Sequence, residues 1–156
     1  MSSQNLSTAI ELLVFITIIA AVLYLAMRIR KNTAYRLAIG LALLASFLIV
    51  WINLAVGIIG EPENPANFLY LGVPVVAFMG ALIARLQATH MSAVLSVTAG
   101  LQLLVAVITL LAGWATPVSW AWAMLLINGV FTALWVASAL LFRKAAAQLQ
   151  TETPAF

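Results

Sequence analysis

Three side-chain amides lie inside the apolar stretches of this chain, and they are the groups best placed to act on a polar molecule there. Asn53, Gln102 and Asn128 are each surrounded in sequence by aliphatic residues. An amide offers two donors and one acceptor without a charge, so it can bind a polar ligand or ion, or join two helices. Their positions predict that Gln102 pairs with Asn128, and that Asn53 lies nearer one surface. A structural role and a polar path both remain open for the three residues.

A proline is expected at a depth similar to that of Asn53. Pro74 lies inside an apolar segment, where it removes a backbone donor and leaves the carbonyl four residues earlier, on Tyr70, without its helical partner. We expect the Asn53 amide or a water molecule to satisfy that carbonyl.

Two carboxylates stand at the end of the segment that contains Asn53. Glu61 and Glu63 flank a proline, and together with backbone carbonyls they could bind a hard cation. Two acids alone make a weak site, so a solvated turn is the simpler interpretation. Nearby glycines, together with glycines in two later segments, predict close helix packing, because small residues let helix backbones approach each other in lipid. These glycines are Gly57, Gly60, Gly80 and Gly129.

Catalytic and metal-binding patterns are missing from the rest of the sequence. The chain has one histidine, four acidic residues and no cysteine. It shows no Ser–His–Asp set, no glycine-rich phosphate loop and no metal-ligand spacing. No basic face interleaved with aromatic residues indicates nucleic-acid binding. We therefore predict no catalytic residue, no metal, no cofactor and no nucleic-acid partner, in a protein that is not an enzyme.

The composition shows which elements must position these residues. Hydrophobic residues make up 65% of the 156 residues and charged residues only 7%, whereas soluble domains carry about 25% charged residues. A membrane-spanning helix needs about 20 apolar residues. Five such spans fit the chain, and short links between them predict an all-α, polytopic, up-and-down bundle in one domain over 1–156. The predicted spans are 8–27, 36–60, 68–83, 91–114 and 119–142.

The basic residues predict how this bundle crosses the membrane. In the five-span arrangement all seven Lys and Arg residues fall on one side, and three of the four acids fall on the other. The positive-inside rule then places the N-terminus outside and the C-terminus in the cytoplasm. Aromatic residues that include Trp51, Tyr70 and Trp114 are expected to form a belt at the outer boundary. The polar stretch from Arg143 onward is expected to be mobile beyond its first turn.

The segment after Asn53 resembles a known group of proteins. Asn53-Leu-Ala-Val-Gly-Ile-Ile-Gly60, then Asn64-Pro-Ala-Asn67, then Gly80-Ala-Leu-Ile-Ala-Arg85 are similar to small uncharacterised bacterial inner-membrane proteins with four spans. The resemblance covers about 35–144. It implies that the protein is a multi-pass protein of the bacterial inner (cytoplasmic) membrane. The first predicted span would then be an addition to the four spans of that group. The resemblance implies no activity.

Two functions from different classes follow as expectations. The first is a non-catalytic integral membrane protein that acts as a homo-oligomer or as an accessory subunit of a larger complex, with the lipid bilayer and other membrane subunits as partners. It depends on small-residue stripes that exceed what one small bundle must bury. The alternative is a small transporter or channel with a polar path near Asn53, Gln102 and Asn128. A convincing internal repeat, which transporters often have, is not found.

Overall fold

The computed structural model of the chain describes residues 21, 24, 32–55, 57–59, 64–114 and 118–151, with only the backbone for 118–120. The predicted first span, 8–27, falls outside these ranges apart from two residues. Within them the chain is helical and has no strand. The helices are α1 (Thr33–Ala55), a short 3₁₀ helix (Pro65–Asn67), α2 (Phe68–Ile83), α3 (Ala88–Leu111) and α4 (Val118–Thr151).

Four of these helical segments are long and apolar enough to cross a membrane: Thr33–Ala55, Pro65–Ile83, Ala88–Leu111 and Ala121–Thr151. Their outer faces carry many large apolar side chains, such as Phe68, Ile83 and Leu111. A water-soluble protein rarely exposes so much contiguous apolar surface. The chain is therefore an all-α protein of the membrane class, and four of the five predicted spans lie among the residues described.

The helices pack around a shared core, and α4 makes the most extensive contacts with the other helices. α4 contacts α3 most extensively and α1 next, while α2 packs on α3 and less extensively on α1. Helix α1 is antiparallel to α4, because Asn32 meets Gln148 whereas Ala38, further along α1, meets Ser138, earlier in α4. Of the side chains that the structure describes, Trp135, near the middle of α4, is the largest that is fully buried.

Basic residues of the described chain gather at one end of the helices. The Tyr35 hydroxyl at the start of α1 donates to the Leu86 carbonyl after α2, at 2.6 Å. The Tyr35 ring also meets the Phe142 ring of α4 edge to face, with 5.2 Å between centroids. Because Tyr35, Leu86 and Phe142 are in contact, the residues next to them in the sequence also lie at this end. Those neighbours are Arg36, Arg85, Arg143 and Lys144, and all four are exposed.

Helix α1 ends at Ala55, five residues before the predicted end at residue 60. Gly57 has a φ of +76°, in the left-handed region that favours glycine, and its N–H returns to the Ile52 carbonyl at 3.2 Å. Such a bond closes the last turn of a helix and stops it. The sequence prediction therefore placed the end of this helix too late.

Helix α4 extends further than predicted. The segment after Arg143 was expected to be mobile beyond one turn, but the helix continues to Thr151. Ala145 is fully buried, and Asn32 donates to the Gln148 side chain at 3.0 Å. The 34 residues of α4 span about 51 Å at about 1.5 Å per residue, more than the roughly 30 Å of a bilayer's hydrocarbon core.

Candidate functional site: a buried polar cluster between the helices

Gln102 of α3 and Asn128 of α4 are hydrogen-bonded, as the sequence predicts. The Gln102 Nε2 donates to the Asn128 Oδ1 at 2.7 Å. Both side chains are almost completely buried, at 0% and 2% exposure. A polar group in such a place is stable only when it is bonded, because no lipid or solvent partner is available. The pair therefore fixes the register of α3 on α4.

The cluster continues from this pair onto α2. The Asn128 Nδ2 donates to the Tyr70 hydroxyl at 3.1 Å and to the Met124 carbonyl, one turn earlier in α4, at 2.8 Å. The Thr109 hydroxyl of α3 donates to the Val105 carbonyl of its own helix at 2.8 Å. Three helices thus meet through three side chains, which are the amides of Gln102 and Asn128 and the hydroxyl of Tyr70.

Tyr70 was missed as a member of the site. The sequence prediction placed it in the outer aromatic belt, but its side chain is fully buried. Val73 and Ala77 are also buried on the same face of α2, at helical spacings of three and four residues. Extending the small-residue face of Ala77 and Gly80 back by two to three turns would have identified Tyr70.

Asn53 belongs to a separate corner where α1 ends and α2 begins. Its Nδ2 donates to the Asn67 carbonyl at 3.2 Å, so Asn53 is not the partner of the Tyr70 carbonyl, and the other predicted partner, a water molecule, stays a prediction. The cause is the early end of α1, which leaves Asn53 two residues from the last helical residue, opposite the first turn of α2. The residue is 4% exposed, and nothing in its contacts joins it to Gln102 or Asn128.

Asn67 and Asn64 complete this corner. The Asn67 Oδ1 accepts from the Ile59 N–H at 2.8 Å, so this side chain bonds to the loop after α1 and makes no cap hydrogen bond to α2. The Asn64 Oδ1 accepts from the Ala66 N–H at 3.0 Å and caps the 3₁₀ helix, while its Nδ2 donates to the Ile59 carbonyl. The amides therefore satisfy the backbone groups of a loop that has no strand or helix to do so.

Within the described residues, four buried side-chain atoms have no hydrogen-bond partner: Asn53 Oδ1, Gln102 Oε1, Thr132 Oγ1 and Trp135 Nε1. Three of them are acceptors or hydroxyls and one is a donor. Thr132 and Trp135 follow Asn128 on α4 by four and seven residues, so Asn128, Thr132 and Trp135 lie along one face of that helix. These atoms are the part of the site that could still bind a small polar group.

The predicted packing glycines behave differently from one another. A Cβ on Gly80 would lie 2.5 Å from the Val94 Cγ1, so α2 approaches α3 closely there. Gly129 has no atom within 4 Å of such a Cβ, so no close helix contact lies at this position. Gly57 is buried, lies after α1 and ends that helix. Gly60, Glu61 and Glu63 lie outside the described residues.

The chemistry of the site is that of neutral amides and hydroxyls. In the part of the chain that is described, no three His, Cys, Asp or Glu residues lie together. The single histidine, His90, is exposed in the first turn of α3. The cluster can therefore bind through uncharged hydrogen bonds, and it holds no group there that would exchange a proton near neutral pH.

Comparison with known proteins finds no family model, no curated protein and no solved structure that matches the chain. The resemblance to four-span bacterial inner-membrane proteins stays a prediction.

Proposed function

We propose that the protein is a non-catalytic, multi-pass protein of the bacterial inner membrane that acts as a homo-oligomer or as an accessory subunit of a larger membrane complex. The observation that carries this proposal is that glycines lie on the outward-facing surfaces of two helices. Gly100 of α3 and Gly129 of α4 are exposed, and a Cβ on either residue would meet nothing within 4 Å. Small residues on a lipid-facing surface permit another helix to approach closely.

The buried amides support the same proposal. Gln102, Asn128 and Tyr70 bond to one another across three helices, and such bonds in membrane proteins contribute about 0.6 kcal/mol on average. These amides therefore have a structural role inside the bundle. The small residues that face outward take no part in those bonds and are available for contacts with partners.

The proposal includes five spans in an up-and-down bundle, with the N-terminus outside and the C-terminus in the cytoplasm. Four basic residues at one end of the described helices support it, because positively charged residues accumulate on the cytoplasmic side.

The test is the mass of the complex after extraction in mild detergent. The wild-type protein is expected to run as an oligomer or with other membrane subunits. Gly100→Leu and Gly129→Leu are expected to shift it toward the monomer, because the added side chain keeps an approaching helix away. The matched controls Val97→Leu and Val130→Leu change neighbouring exposed positions and should leave the mass unchanged. A monomeric wild-type protein that purifies with nothing would overturn the proposal.

A second function, a small transporter or channel, is favoured by the unpartnered atoms on Asn53, Gln102, Thr132 and Trp135. A polar solute passing through the bilayer needs such atoms as temporary partners. Solute or ion flux into proteoliposomes tests it. In this case Gln102→Leu and Asn53→Leu should abolish the flux, whereas Val130→Leu should not. Equal flux in empty liposomes would reject this function.

A further inference from the structure

A groove lies between α3 and α4 on the half of these helices that leads to the basic end. Its polar lining consists of Ser92 and Ser96 of α3 and Arg143 of α4, and its volume is about 160 Å³. A cavity of about 150 Å³ is large enough to hold a benzene molecule. The groove can therefore hold several carbon atoms of an alkyl chain, and it is much larger than the space that one water molecule needs.

The walls of the groove are apolar away from Arg143. Ala99 on α3, and Val136 and Leu140 on α4, form this part of the lining. Val136 and Leu140 are both exposed on the outer face of α4, where a bilayer would bring lipid chains against them. The groove thus offers apolar contact along its length and polar contact at one end, as a lipid molecule requires.

The polar end of the groove provides donors and positive charge. The Ser96 hydroxyl donates to the Ser92 carbonyl at 2.9 Å, while the Ser92 hydroxyl has no side-chain partner in the described chain. The Arg143 guanidinium carries five donors and a permanent charge. The sequence has no Asp or Glu between Ala88 and Thr151, so neither of the two helices that form the groove carries a carboxylate that could neutralise Arg143.

We propose that this groove binds one anionic phospholipid, with its phosphate at Arg143 and Ser92 and its acyl chain along Ala99, Val136 and Leu140. Charge complementarity selects this occupant over an apolar helix, because a second copy of these helices would bring no negative charge to Arg143. Arginine binds phosphate through paired hydrogen bonds. A long basic side chain near the membrane boundary also extends to the headgroup level. The proposal is independent of the oligomeric state.

The experiment measures lipid retention by the purified full-length chain in native mass spectrometry, with phosphatidylglycerol or phosphatidylcholine added as the probe. The wild-type protein should retain phosphatidylglycerol preferentially. Arg143→Gln should weaken retention roughly tenfold, the factor that corresponds to one lost charge-assisted contact. Val136→Trp, which fills the groove while Arg143 stays in place, should weaken retention of both lipids.

The matched control is Arg85→Gln. Arg85 is exposed at the same end of the helices but does not line the groove, so this variant should retain phosphatidylglycerol as the wild type does. Equal losses in Arg85→Gln and Arg143→Gln would mean general attraction to basic residues and would overturn the proposal. Displacement of the lipid by an equal concentration of inorganic phosphate would also overturn it, because it would show a site for a free ion.

A change in oligomer mass in Val136→Trp with unchanged lipid retention would show that the groove is an interface between copies, and would equally overturn the proposal. Arg143 and Val136 are both exposed, so neither variant should prevent folding. A thermal melt of each variant checks this point before the lipid measurements are compared.

Discussion

At the scale of single residues, the site depends on Asn128. Its amide accepts from Gln102 and donates to both Tyr70 and the Met124 carbonyl, so its hydrogen-bonding groups all have partners. Gln102 uses its amino group but leaves its Oε1 unpartnered. Loss of Asn128 would leave polar atoms unpaired on two other helices, whereas loss of Gln102 would leave a single acceptor unpaired.

A double-mutant cycle on this pair tests that difference. Gln102→Leu and Asn128→Leu should each lower the free energy of unfolding in mixed micelles, and Asn128→Leu should lower it more. The coupling energy from the cycle should be about 0.6 to 1.7 kcal/mol, the range of interhelical hydrogen bonds in membranes. Tyr70→Phe is the control: it removes one contact of Asn128 and should cost less than Asn128→Leu. A coupling energy of zero would show that the bond adds no stability.

The residue scale is also where sequence reasoning succeeded and failed most clearly. Gln102 and Asn128 were predictable as a pair because two amides at similar depth in an apolar layer have few other partners. Tyr70 was not, because the preference of tyrosine for the membrane boundary was given more weight than its helical spacing from Ala77. The partner of Asn53 was missed because its geometry depends on where α1 ends, and Gly57 decides that.

At the scale of helices, α2 approaches α3 closely at Gly80 and Val94. An alanine at position 80 would bring its Cβ within 2.5 Å of the Val94 Cγ1, and the stiff, β-branched valine has little freedom to move aside. Only glycine therefore fits there without separating the two helices.

Gly80→Ala should lower the free energy of unfolding by about 1 to 3 kcal/mol, the usual cost of an overpacked core. Val94→Ala in the same chain should restore part of the loss, because it removes the two methyl groups that the new Cβ would meet. Gly40→Ala is the matched control, since a Cβ at position 40 meets nothing within 4 Å. If both glycine variants have the same stability, the contact does not constrain α2 on α3.

The positions at which the helices end were predicted with different success. The end of α3 was predicted within three residues, because the apolar run stops where the helix does. The extension of α4 was missed because its polar residues suggested a free tail. Ala145, Ala146 and Ala147 favour helix strongly, and the burial of Ala145 against neighbouring helices comes from tertiary packing that no local pattern records.

At the scale of the whole molecule, the two ends of the helices differ in charge. Arg36, Arg85 and Arg143 stand at one end of the described chain, and the corner of Asn53 and Asn67 stands at the other. This asymmetry predicts the orientation in the membrane, since basic residues remain on the cytoplasmic side.

Cysteine labelling in intact bacterial cells measures that orientation, because the sequence has no cysteine of its own. Gln87→Cys is at the basic end, and Ala112→Cys is at the opposite end. Both positions are exposed. A membrane-impermeant maleimide should label Ala112→Cys in intact cells and Gln87→Cys only after the cells are opened. The reverse pattern would show that the protein is inserted the other way round.

The contact between α1 and α4 has a consequence for biosynthesis. It joins residues 100 and 116 positions apart, at Ser138 with Ala38 and at Asn32 with Gln148. During synthesis, α1 leaves the ribosome long before α4 exists, at about 5 to 20 residues per second. For several seconds the face of α1 that will be buried has lipid, the translocon or a chaperone as its neighbour. Chains that stop before α4 would therefore keep that face uncovered and become substrates for membrane proteases.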